Sequence, residues 1–408
     1  MKKILFVINT LGHAGAEAAL IELLEKLSGL KSPANGGRMY DIDLFVLTGQ
    51  GEMVHELPEG VRLVNRTYND SPVLGARGRS YLKRTVIKAL FRRGNVVRLI
   101  PYLAGNVLSM LKAGRILPDK LLWRVISDGA DRLEDSYELA VAYLEGGSAY
   151  YVAEHVSAAR KAAFIHVDYN SAGYTRRLDR DCYLKYDRIF TVSGETGSIF
   201  KNVYPECAGR TEVFSNIISR DKIIAKSRLA GGFSDDFDGC RLLSVGRLER
   251  QKAFEVSIDA MRLLKDRGIN VRWYVLGEGS ERRRLEAGIR EAALDEDFLL
   301  LGAVDNPYPY MAQADIYVHA SRFEGKSIAI QEAQILGRPI IVSDCSGNRE
   351  QVKNGIDGIM CSLDASAIAD SIQKILNDGE LARRLGEAAS DLSLSWKAET
   401  DKILSLLE

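Results

Sequence analysis

The sequence predicts an α/β chain built from two Rossmann-like domains. Three observations carry this reading. Short, nearly continuous apolar runs alternate with longer stretches of helical periodicity. The alternation runs through twice. The 408 residues also suffice for two or three domains of roughly 150 residues each. Apolar runs without polar alternation mark strands buried on both faces, which is the condition of a parallel sheet covered by helices.

The first series opens with Ile4–Ile8. This run is too short for the apolar part of a secretory leader and lacks a small-residue cleavage pattern, so it reads as a buried strand. A turn through His13-Ala14-Gly15 and a helix over Glu17–Leu27 follow, and Asp43–Leu47, Leu139–Tyr143, Ala162–His166 and Arg188–Val192 read as further strands. The second series comprises Arg241–Val245, Val271–Leu276, Phe298–Leu301, Ile316–Val318 and Pro339–Val342, with helices such as Glu255–Asp266 and Ser327–Leu336 between them. The Gly/Asp-rich segment AGGFSDDFDG lies near the boundary, which gives a first domain over 1–215 and a second over 216–394. A closing helix over 395–408 is expected to return to the first domain.

Hydrophobic residues make up 46% and charged residues 27%, a globular profile that excludes general disorder. Lys+Arg and Asp+Glu are both 55, so bulk positive charge does not drive binding and no nucleic-acid partner is expected. The five cysteines are widely spaced without a CxxC pair, as expected of reduced thiols in a cytoplasmic protein. No run approaches the roughly 18–20 apolar residues that span a bilayer.

Residues 71–124 interrupt the alternation with twelve Lys or Arg against one acidic residue, Asp119, a local charge of +11. Apolar and aromatic residues are interleaved among them. A solvated helical insertion, docking on an anionic membrane surface, and contact with an anionic lipid-linked substrate all fit this pattern.

The strongest chemical constellation lies in the second half. A strand runs into Gly246-Arg247-Leu248-Glu249-Arg250-Gln251-Lys252, placing two cations at the ligand edge of a sheet. Arg can fork onto phosphate oxygens and Lys adds a point charge. The second element runs from Ser321 through Glu324, Gly325, Lys326, Ser327 and Ile328 to Glu332, and its glycine turn leads into a helix whose first amides suit a phosphate. A helix beginning at the glycine would separate Glu324 and Glu332 by roughly 12 Å along its axis, a span suited to gripping both ends of an extended ligand. His166 ends a strand, and Glu145-Gly146-Gly147 follows another. His13, His55, His155 and His319 show no partner pattern and read as structural. Asp41-Ile42-Asp43 has DxD form, but its place at a strand start argues against a metal.

The segments GRLERQK, LGEGSERRRLE, the stretch from LGAVDN to PIIVSD, and GNREQVKNGIDGIM resemble the donor domain of family 4 glycosyltransferases. The resemblance is specific over 240–362 and looser over 1–215. It implies the GT-B fold, in which two Rossmann-like domains face a cleft. It also implies retaining transfer of a sugar from a nucleotide-diphosphate donor, UDP-sugar by expectation, to a glycan or lipid-linked acceptor in surface polysaccharide synthesis. No metal or other cofactor is expected.

On this resemblance Arg247 and Lys252 match the cations on the donor diphosphate, and Glu332 matches the carboxylate that receives the ribose hydroxyls. Glu324 matches the acidic residue at the donor sugar. Gly325, Lys326, Ser327 and Ile328 belong to the phosphate- and sugar-facing turn, and Val304 lies in the loop beside the base. Gly15 would let backbone approach the diphosphate. His166 matches a histidine near the sugar and acceptor, and Glu145 is a candidate acceptor contact. The expected location is cytoplasmic, at the inner face of the membrane. A nucleotide-sugar epimerase or hydrolase of the same fold, and a non-catalytic subunit of a transferase complex, are the alternatives.

Overall fold

Thirteen strands form two wholly parallel sheets in the computed structural model, which describes residues 2–31, 36–73, 75–112, 114, 117–391 and 396–408. Arg115 and the side chains of Arg93 and Arg98 lie outside the described residues, as does the expected 394/395 boundary. The chain divides into two compact units, Met1–Ile218 with Ser395–Glu408, and Ser219–Leu394.

The first unit contains β1 (Lys2–Ile8), β2 (Tyr40–Val46), β3 (Val61–Leu63), β4 (Ser136–Ala142), β5 (Ser157–Ile165), β6 (Arg188–Thr191) and β7 (Thr211–Val213). Their order is β3-β2-β1-β4-β5-β6-β7. The second contains β8 (Cys240–Val245), β9 (Val271–Leu276), β10 (Phe298–Gly302), β11 (Ile316–His319), β12 (Ile340–Ser343) and β13 (Ile359–Cys361), ordered β10-β9-β8-β11-β12-β13. Each expected strand is present within a few residues. The three strands without a counterpart in the sequence reading, β3, β7 and β13, have three residues each and sit at sheet edges. So short an element carries too little apolar pattern to register.

Both sheets reverse their strand order once, between β1 and β4 and between β8 and β11. In doubly wound sheets ligands bind beyond the carboxyl ends of the strands that flank this reversal. The central strands are buried on both faces, as the continuous apolar runs require: Ile4 through Ile8 are all fully buried. In the second unit the largest buried side chain, Trp273, donates its indole N–H to Ser244 Oγ at 3.0 Å, and that hydroxyl donates to the Val318 carbonyl at 2.6 Å. The side-chain polar atoms of Trp273 and Ser244 are thereby satisfied.

The basic segment is helical, with helices Ala76–Phe91, Asn95–Lys112 and Pro118–Gly129. Its chain of cations is not uniformly solvated. Arg124 is fully buried: its guanidinium donates to Glu154 at 2.8 Å and to the Asp179 carbonyl at 3.1 Å, and lies over the Tyr150 ring. The first and third helices meet closely where Gly129 faces Ala89, since a Cβ on Gly129 would stand 2.5 Å from the Ala89 Cα. The last helix, Trp396–Leu404, buries Ile403 in the first unit's core and accepts the Ser215 amide on Glu399 at 3.1 Å.

Candidate functional site

The second unit places one cluster of charged side chains at the reversal between β8 and β11. Beyond β8 the chain turns through Gly246 and Arg247 to Lys252, and beyond β11 it continues from His319 to Glu324. Three loops lie on one another at this edge. Gly277, which follows β9, has φ +150°, and a Cβ there would stand 1.9 Å from the Gly246 carbonyl oxygen. The Gly277 amide in turn donates to the Gly302 carbonyl at 2.8 Å. The glycines of LGEGS are therefore required by close backbone approach.

Glu324 is the centre of the cluster and only 7% exposed. Its Oε1 accepts from Lys252 Nζ at 2.6 Å, from Ser321 Oγ at 2.6 Å and from His319 Nε2 at 3.1 Å. Its Oε2 accepts from Gln251 at 3.4 Å. Burial alone would raise this carboxyl's pKa, but the Lys252 ammonium and the His319 contact outweigh it and hold the group well below the usual carboxylate range. Glu324 is thus a fixed anion at neutral pH. An ionised Oε1 places the imidazole proton of His319 on Nε2, and Nδ1 then accepts from the Tyr317 hydroxyl at 3.3 Å. Burial, followed by the neighbouring Lys252, pushes the His319 pKa down, so the ring is neutral.

The sequence predicts a structural role for His319, whereas the structure makes it a direct partner of Glu324. Its position at the carboxyl end of a strand beside the sheet reversal is the signal that could have found it. Ser321, Gln251 and Tyr308 also carry no recognisable spacing in sequence.

The two expected cations differ. Lys252 is bound to Glu324, whereas Arg247 is exposed and, among the described residues, has no ion-pair partner. The turn after Glu324 is also more occupied than a simple helix start. The Ser327 amide donates to Gln351 Oε1 at 2.6 Å, so it is spent within the fold and unavailable to a phosphate. The helix begins at Ile328, which makes Glu332 its fifth residue. The roughly 12 Å axial separation therefore does not apply, because Gly325–Ser327 is not helical. A Cβ on Gly347 would stand 2.4 Å from the Gly325 carbonyl oxygen, and Glu324 N donates to the Ser346 carbonyl at 3.0 Å; that neighbouring turn sets the path of Glu324–Gly325. Lys326 is half-buried, Ile328 is buried, and Val304 is half-buried against the apolar cluster that contains Tyr317 and Ile330.

Glu332 is half-buried and accepts from the Tyr308 hydroxyl at 2.8 Å. Burial raises its pKa from 4.5 to about 7, against a smaller opposing pull from the Tyr308 bond. The folded state therefore holds this proton more tightly than the unfolded chain. Stability from the neutral form is complete below about 4.5 and is lost as pH rises to about 7. Glu332→Gln, which keeps an acceptor for Tyr308, is expected to melt above the parent at pH 8 and to match it near pH 4.5. Thermal melts at both pH values check this, and a gap independent of pH would contradict it.

The first unit presents its own group at the reversal between β1 and β4. Asn9, after β1, donates to the Glu145 carbonyl at 3.1 Å and accepts the Ser148 amide at 2.7 Å. The buried Glu145 carboxylate accepts the backbone amide of His166 at 2.9 Å. Glu145 and His166 are thus brought together. Desolvation pushes the His166 imidazole down to about 4, and its ring packs on Tyr143 and Phe164. The histidine is neutral and fixed in place. Gly15 opens the helix Gly15–Ser28 and is exposed. In the DxD-like stretch, buried Asp43 accepts two bonds from Arg62 at 2.9 Å and one from Tyr137 at 3.1 Å, so its oxygens serve an internal ion pair.

Residues 238–391 match the family described as glycosyl transferases group 1. The N-acetylgalactosamine-N,N'-diacetylbacillosaminyl-diphospho-undecaprenol 4-alpha-N-acetylgalactosaminyltransferase of Campylobacter jejuni is 31% identical over 176 residues, covering 43% of this chain and 46% of that protein. The lipopolysaccharide core biosynthesis glycosyltransferase LpsE of Rhizobium meliloti is 27% identical over 199 residues, covering 48% and 57%. The matched stretch thus spans about half the length of these curated relatives. Among solved structures, Anabaena HepE in complex with UDP and glucose superposes with a TM-score of 0.69 at 15% identity, covering 100% of this chain and 99% of that one. A sucrose-phosphate synthase from Thermosynechococcus elongatus gives 0.65 at 18% identity, covering 99% and 98%. The fold is therefore GT-B.

Proposed function

We propose that this chain, whose residues 238–391 match the family of glycosyl transferases group 1, is a retaining glycosyltransferase. In this reading it moves a sugar from a nucleotide-diphosphate donor to a glycan or lipid-linked acceptor in surface polysaccharide synthesis. The observation that carries the proposal is the pairing of buried Glu324 with half-buried Lys252 at the β8/β11 reversal, with exposed Arg247 beside the same strand end. A relative named for an undecaprenol-linked compound, another named for lipopolysaccharide core biosynthesis, and a neighbour bound to UDP support the acceptor class and UDP as the donor's nucleotide.

The chemistry follows from charge. As the glycosidic bond to the diphosphate breaks, negative charge grows on the leaving oxygen and positive charge on the sugar ring. Arg247 brings an unneutralised cation to the phosphates, and Lys252 shares its charge between Glu324 and the donor. Glu324 cannot act as a general acid, because it carries no proton at neutral pH. Its role is an oriented anion and hydrogen-bond acceptor at the sugar. Glu332 receives the ribose hydroxyls, with Val304 beside the base and Gly325, Lys326 and Ile328 lining the phosphate turn. Glu145 and His166 serve the acceptor, and Gly15 admits the diphosphate. Attack on the face of departure lets the leaving phosphate oxygen take the acceptor's proton, so no metal is required. The reaction takes place in the cytoplasm at the inner membrane face, where lipid-linked acceptors are available.

Incubation of labelled nucleotide sugars with candidate acceptors in the presence of a chelator tests this directly. The expected result is acceptor-dependent product of retained configuration at an unchanged rate. Epimer or free sugar formed without acceptor would overturn transfer, and loss of activity restored by Mg²⁺ or Mn²⁺ would overturn the metal-free course.

A further inference from the structure

The helix Asn95–Lys112 is apolar on two faces, and the fold covers only one of them. Leu99, Tyr102 and Met110 point inward and are buried. On the other side Val97 is 74% exposed, Ile100 56%, Leu108 56% and Leu111 55%, recurring at helical spacing over about 21 Å of axis. The preceding helix, Ala76–Phe91, ends on Ile87 and Phe91, exposed by 58% and 71%. Eight of the fifteen large hydrophobic residues exposed among the described residues fall between 87 and 122. They are concentrated beyond what scattered surface apolar residues explain. The same helix Ala76–Phe91 exposes Arg77, Arg79, Lys83, Arg84 and Lys88.

We propose that the surface of helices 76–91 and 95–112 docks the protein on an anionic phospholipid bilayer, with Phe91, Val97, Ile100, Leu108 and Leu111 entering the headgroup boundary. Charge complementarity selects this occupant. Those five cations and exposed Lys112 stand in a stretch, 71–118, that contains no acidic residue, and each cation near an anionic surface adds attraction while the aliphatic side chains lose their contact with water. A second copy of the same face would meet like charge with like in a self-complementary contact. A nucleic acid would engage the cations but leave the aliphatic stripe in water. No helix among the described residues is long and apolar enough to cross a membrane, so the mode is surface docking rather than insertion. The inference is independent of the activity proposed above.

Flotation of the full chain with vesicles of neutral phosphatidylcholine, with and without phosphatidylglycerol, tests it. Binding is expected only to the anionic vesicles, weakened but not abolished by raised salt. The triple variant Val97→Ser/Ile100→Ser/Leu108→Ser is expected to bind at least about tenfold more weakly. Its melting temperature and its activity on a soluble acceptor should be unchanged. Lys83→Glu/Arg84→Glu/Lys88→Glu should lose the preference for anionic lipid. Three results would overturn the proposal: no binding to anionic vesicles at low salt, binding unaffected by the serine triple variant, or self-association of the parent in sedimentation that this variant abolishes.

Discussion

Glu324→Gln is expected to lower turnover by about 10²–10³-fold while leaving donor affinity within a few-fold of the parent. The structural reason is that the glutamate's negative charge is maintained rather than incidental. Lys252, Ser321 and His319 all direct hydrogens at one oxygen of a nearly inaccessible carboxylate. Glutamine keeps the size and one acceptor but removes the anion that opposes positive charge developing on the sugar. Because that charge exists mainly in the transition state, the loss falls on kcat rather than on binding. Single-turnover rates and donor titration of the purified variant measure the two separately. Unchanged turnover would take Glu324 out of the reaction.

Lys252→Met and Arg247→Met are expected to fail in different ways, although the two residues look alike in sequence. Removing the lysine strands a buried carboxylate, and breaking a buried pair from one side costs about 3–5 kcal/mol. For a unit of this size that lowers the melting temperature by about 10 °C. It also raises the Glu324 pKa, because the cation that opposes the effect of burial is gone. The arginine is exposed and has no ion-pair partner among the described residues, so its loss should change stability by no more than about 0.5 kcal/mol. Its cost should appear in donor binding and turnover. The double variant Lys252→Met/Glu324→Gln should recover most of the lost stability, since no uncompensated charge remains. Thermal melts of the four proteins decide the matter; a Lys252→Met variant as stable as the parent would show that the Glu324 carboxylate does not depend on this cation.

Much of this architecture is legible along the chain. Continuous apolar runs such as Ile4–Ile8 and Val271–Leu276 announce parallel strands, since only a strand covered on both faces tolerates them. The edge strands β3, β7 and β13 escape, being too short to show a period. The site is partly legible too. Arg247, Lys252, Glu324 and Glu332 stand out because each lies just after a strand or within the helix that follows one. His319 does not, since a lone histidine has no spacing partner and its role comes from a carboxylate placed by a separate turn.

By itself the sequence determined the α/β class, the two-fold run of strands and helices, and which charged residues reach the ends of β8 and β11. Only the tertiary structure decided what state those charges are in. Lys252 and Glu324 are 72 positions apart, yet they neutralise each other, while Arg247, five residues from Lys252, stays exposed. Arg124, one cation among twelve in sequence, is sealed beneath the insertion, while an apolar face of helix 95–112 is left outside. Burial and pairing are set by neighbours in space, and desolvation and Coulomb attraction act over a few ångströms regardless of separation along the chain. Periodicity therefore reports which elements form, and packing alone reports which of their side chains remain available to a ligand.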